Sequence, residues 1–97
     1  MKTRKATISQ ELRRAGVPTS IHGFCFLIEA ISLRYDKPLA KLLDDIYADV
    51  AKHYNTTISR VERAIRTAVM QSELSGQTAN NFISEMACRV RDELEDY

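Results

Sequence analysis

Apolar positions recur along this chain every three or four residues, the period of a helix with one buried face. Ile8, Leu12 and Ala15 give a short helix over about 7–15, with Thr7 or Ser9 as its cap. "AGVPTSIHG" breaks it, since Gly16 suits a helix C-terminus and Pro18 cannot sit inside a helix. Phe24, Leu27, Ile28, Ile31 and Tyr35 mark a second helix over 21–35. Phe26 and Leu33 widen its stripe until most of the circumference is apolar, the pattern of a hub. After the turn "YDKPLA", a third helix runs over about 39–53, in one piece or two, with Leu39, Leu42, Leu43, Ile46, Tyr47 and Val50 inward. "HYNTT" interrupts it. A fourth helix spans about 58–74, "SGQTAN" is a polar loop, and the last helix covers 80–95 with Phe82, Met86, Val90 and Leu94 at four-residue spacing. The pattern predicts an all-α chain, a compact five- to six-helix bundle forming one domain over 1–97, with a flexible basic N-terminus over about 1–6.

Composition sharpens this reading. At 97 residues and 44% apolar the chain can bury one modest core. It has no stretch of about 18 apolar residues, and "MKTRKATISQELRR" lacks the apolar centre of a secretory signal, so a cytoplasmic protein is expected. Cys25 and Cys88 are isolated, without C-x-x-C spacing, and their apolar neighbours suggest small hydrophobes; neither a disulfide framework nor a metal site is expected.

Net charge is only +1, which does not announce a nucleic-acid binder. Its distribution is uneven: residues 1–33 carry +3 and 54–72 carry +2, whereas 73–97 carry −4. An asymmetry of that kind steers a polyanion better than the sum implies.

The segment 47–66, "YADVAKHYNTTISRVERAIR", fits a helix-turn-helix within about 45–74. Ala51 is small where the helices cross, Asn55 tolerates the left-handed turn, and Val61 anchors the second helix, with Tyr54, Ala64 and Ile65 completing the inward side. Thr56, Thr57 and Ser59 are candidate caps, and they set hydroxyls where helix N-termini meet phosphates. Val61, Ile65, Ala68 and Val69 face inward, leaving Arg60, Arg63 and Thr67 opposite and the four-apart pair Glu62 and Arg66 on the flank. Arginine forks onto guanine O6 and N7, and glutamate accepts from cytosine N4. The same Glu62–Arg66 spacing would also support any solvated helix by a few tenths of a kcal/mol.

"GVPTSIHGFCFLIEAI" at 16–31, "DIYADVAKHYNTTISRVERAIRTAV" at 45–69 and, more faintly, "NNFISEMACRVRDEL" at 80–94 resemble the C-terminal DNA-binding effector domain of the stage-zero sporulation response regulator. The resemblance implies a six-helix bundle around a helix-turn-helix that reads boxes of the type TGTCGAA in double-stranded DNA, often as tandem copies. It implies base reading by Arg60, Glu62, Arg63 and Arg66, and phosphate contacts by Thr56, Thr57 and Ser59; Lys52, beside them, is a further phosphate candidate. The family carries a phosphorylated receiver domain ahead of this one, where this chain has about 15 residues, as a fragment or a stand-alone relative would. The short 71–82 connection leaves the mode of homodimerisation open.

Other constellations carry less. His22 and His53 have no carboxylate or cysteine at ligand spacing. Asp44 and Asp45 read as helix N-terminal acids, and with Asp49 they lack the spacing of a calcium loop. Cys25 and His22 lack an orienting third group for nucleophilic catalysis. No enzyme, cofactor or small-molecule substrate is expected. The competing reading is a helical interaction module, or an antagonist that keeps the fold without specific DNA binding and uses its acidic last helix.

Overall fold

Thr3 sets where the first helix begins. Its side chain accepts a hydrogen bond from the Ala6 N–H at 3.1 Å, and α1 runs Arg4–Arg14. The computed structural model describes residues 3–36 and 43–95. Its helices are α1, α2 (His22–Asp36), α3 (Leu43–His53), α4 (Ile58–Gln71) and α5 (Ala79–Leu94), with no strand among the described residues. The early start of α1 corrects the expected cap at Thr7 or Ser9, because residues 4–6 are already helical. Thr7 is fully buried and donates its hydroxyl to the Thr3 carbonyl at 3.0 Å. Lys5 pairs with Glu29, and Arg4 pairs with Asp36 at 2.6 Å, which ties this first turn to α2.

Helix α2 packs against all four others, as its broad apolar stripe predicts. Leu27, Ala30 and Ile31 are fully buried in it, and they meet Ile8 and Leu12 of α1, Ile46 and Val50 of α3, Val61 and Ile65 of α4, and Phe82, Met86 and Val90 of α5 in one core. The Cα radius of gyration is 12.3 Å, close to the roughly 12.5 Å expected of a domain this size. Leu39 and Leu42 lie outside the described residues. The cysteines depart from expectation: Cys25 and Cys88 are exposed, on the solvent side of α2 and α5. Arg34 is buried instead, its guanidinium donating to Asn80 at 2.8 Å.

Two helix ends close in the same way. After α1, the Gly16 N–H bonds the Arg13 carbonyl and the Val17 N–H bonds that of Leu12, both at 3.0 Å, with Gly16 at φ +84°. After α3, the Asn55 N–H reaches the Lys52 carbonyl at 3.3 Å and the Thr56 N–H that of Ala51 at 2.8 Å, with Asn55 at φ +54°. Each is a Schellman closure, which needs one left-handed residue that glycine supplies at no steric cost and asparagine at little.

Candidate nucleic-acid interface

The turn over residues 54–57 joins α3 to α4 and sets their crossing. Ala51, buried at the crossing, supplies the small side chain, and Val61, Ile65, Ala68 and Val69 bury the inner stripe of α4 as expected. Thr57 resolves the choice of cap: its side chain accepts from the Arg60 N–H at 3.2 Å. Thr56 precedes the cap and Ser59 follows it within the first turn. Helix α3 carries Asp44 and Asp45 in its first turn, whereas α4 has no acidic residue there. The positive end of the α4 dipole, worth roughly half a charge, is left for an anion from outside.

A second contact seats α4. The hydrogen-side face of Gly23 lies so near it that an added Cβ would stand 2.4 Å from the Ala64 carbonyl oxygen and 2.8 Å from the Ala68 Cβ. Only a glycine lets the start of α2 press on the α4 backbone at this distance. The sequence gives no sign of this, because the need arises from a residue some forty positions away.

The four expected base-reading residues divide into two pairs. Arg60 and Arg63 are exposed and, with Thr56 and Thr67, line a groove of about 620 Å³ between α4 and the start of α2. His22, Phe26 and Tyr54 form its other wall. Tyr54 is 40% exposed rather than inward. Its ring meets Phe26 edge-on at 5.2 Å and His53 at 4.8 Å, and partial burial raises its phenol pKa. Glu62 and Arg66 stand on the other flank, paired with each other across one helical turn, beside a hollow of about 400 Å³ with Tyr47 and Met70.

Ion pairing separates the arginines further. Arg4, Arg14, Arg66, Arg89 and Arg91 each have a carboxylate partner. Among the described residues, Arg60 and Arg63 have none. Lys52 is exposed in the last turn of α3 with His53, where a cation complements the helix dipole. His53 Nε2 lies 3.9 Å from Glu29, which also holds Lys5. No group of three or more metal-ligating side chains occurs among the described residues.

Two helices joined by a four-residue turn, the second capped at its start, have the geometry of a helix-turn-helix. The family described as sporulation initiation factor Spo0A C terminal matches residues 8–92, nearly the whole chain. The chain belongs to this family. It is accordingly an effector domain of the response-regulator type, acting in transcription regulation in sporulation by binding DNA. Spo0A C-terminal domains are not an enzyme family. No helix among the described residues is long and apolar enough to cross a membrane. The match takes in all of α2 through α4 and most of α1 and α5, so the elements that build the groove and the turn all lie within this family's domain.

Proposed function

We propose that this chain is a sequence-specific DNA-binding transcription regulator that lays α4 in the major groove of TGTCGAA-like boxes. The observation that carries the proposal is the outer face of α4: Arg60 and Arg63 stand free of carboxylates among the described residues, next to a helix start with no acid. Each can fork two donors onto a guanine edge. Glu62 accepts from a cytosine amino group, and its pairing with Arg66 holds both side chains along the flank that would follow the groove. Arg66 then acts from an oriented rather than a free position.

Phosphate contacts come from Thr57 and Ser59 at the helix start, Thr56 just before it and Lys52 from α3. The Thr57 hydroxyl oxygen accepts from Arg60 N–H, which leaves its proton to donate to a phosphate oxygen. These groups fix register without reading sequence. We also propose that two copies can pair on tandem boxes and that the protein acts in the cytoplasm.

Fluorescence anisotropy against a duplex carrying TGTCGAA and a scrambled duplex, at two salt concentrations, tests this. A cognate preference that persists at the higher salt is expected. Equal binding erased by salt would reduce the arginines to phosphate contacts. Absence of binding at low salt would turn the fold into an interaction module.

A further inference from the structure

Three large apolar side chains are exposed among the described residues: Tyr54, Ile58 and Met70. Tyr54 leans on Phe26 and His53, and Met70 borders the hollow beside Glu62 and Arg66. Ile58 has neither setting. It is 48% exposed, lines neither hollow, and is not among the partly buried residues packed against the core.

Its position makes this unusual. Ile58 is the first residue of α4, directly after the cap Thr57 and before Ser59. Nothing in the helix asks for isoleucine there. A β-branched residue is a modest helix former, and the first helical position favours proline or an acid. Nor is it the apolar staple that sometimes fixes a helix entry, since that device uses the residues on either side, here Thr56 and Val61. An apolar branch therefore stands alone among hydroxyls and arginines, at the end of the helix whose first residues meet base edges in this kind of reader.

The base edges of the major groove offer one apolar group, the 5-methyl of thymine. We propose that Ile58 contacts a thymine methyl, which makes it a specificity-determining residue beside the polar readers. This rests on the reading of α4 as the base-reading helix. The contact is dispersive and excludes water from both surfaces. It discriminates thymine from cytosine at the same place, because cytosine presents a hydrogen instead of the methyl.

The test replaces each thymine of the TGTCGAA duplex in turn by deoxyuracil, which removes the methyl and leaves the hydrogen-bonding edge unchanged. At one position the substitution is expected to weaken the unaltered chain about three- to fivefold, the order of one methyl group withdrawn from contact. Ile58→Ala should bind the thymine and deoxyuracil duplexes alike, and Ile58→Val should keep most of the difference. Thermal unfolding of both variants checks that α4 is still formed. Insensitivity of the unaltered chain to every deoxyuracil would overturn the assignment, as would a penalty of equal size in Ile58→Ala. The scrambled duplex runs in the same titration. If the unaltered chain shows no cognate preference, the reading of α4 fails and Ile58 falls with it; if preference holds without methyl sensitivity, only Ile58 falls.

Discussion

Arginine is used in two opposite ways near the two ends of α2. Around Tyr35, Arg4 and Arg91 each stack a guanidinium 4.5 Å from the ring centroid. Arg91 also donates to the Tyr35 carbonyl at 2.6 Å and pairs with Glu95 at 3.3 Å, while the Tyr35 hydroxyl donates to Glu95 at 2.7 Å. Every charge there has an internal partner, and the cluster staples α1, α2 and α5. On α4, Arg60 and Arg63 point into a groove with no carboxylate opposite among the described residues. The residue type is the same; the difference lies in whether the fold has already answered its donors. Counting arginines would not separate the two regions, and net charge hides the second.

The largest break in this contrast should come from the double variant Arg60→Ala/Arg63→Ala. Specific binding should weaken by about 1–3 kcal/mol for each guanine contact removed, with the unfolding midpoint unchanged. Retained discrimination between cognate and scrambled duplexes in a binding titration would remove both residues from the reading set. Gly23→Ala comes next and touches both properties. Its new Cβ forces α2 away from α4, so stability should fall by about 1–3 kcal/mol and affinity with it, as read from denaturant unfolding and anisotropy together. Arg91→Ala sharpens the comparison from the other end. Losing its ring contact, carbonyl hydrogen bond and ion pair should cost about 1–2 kcal/mol of stability and leave DNA affinity where it was.

Smaller effects separate phosphate from base. Lys52→Ala should weaken all duplexes alike and lower the slope of log affinity against log salt by about one. A loss confined to the cognate duplex would reassign Lys52 to sequence reading. The smallest effect concerns Tyr47, whose phenol pKa is raised above 10.0 chiefly by burial and then by the charge of Glu62. The unfolded chain loses this proton first. The contribution to stability is therefore full below pH 10 and declines as pH rises through the folded-state value. Tyr47→Phe should flatten part of the alkaline loss in a series of unfolding midpoints.

Much of this was legible in the pattern of residues because helical periodicity is a local signal. The inner stripe of α4 and the four-spaced core of α5 follow from it directly, as does the left-handed turn at Asn55. What escaped depends on partners distant in sequence. Arg34 is buried because Asn80 accepts its guanidinium across the α2–α5 contact. Cys25 sits between Phe24 and Phe26, yet a 100° step turns it outward. The start of α1 leaves no periodic signal, because Thr3 precedes charged residues rather than an apolar run. At the site, the residue types were readable but their division was not. Glu62 and Arg66 close on each other, while Arg60 and Arg63 share a groove whose second wall comes from α2.

The bare Cα of Gly23 against the Ala64 carbonyl has a calorimetric consequence. Helix α4 is clamped to the hub before any ligand arrives, and Thr57 and Asn55 fix its start. Binding through α4 would therefore ask for no folding of that helix. The heat-capacity change on complex formation should be small, set by the area of the contact, rather than the large negative value of a segment that orders as it binds.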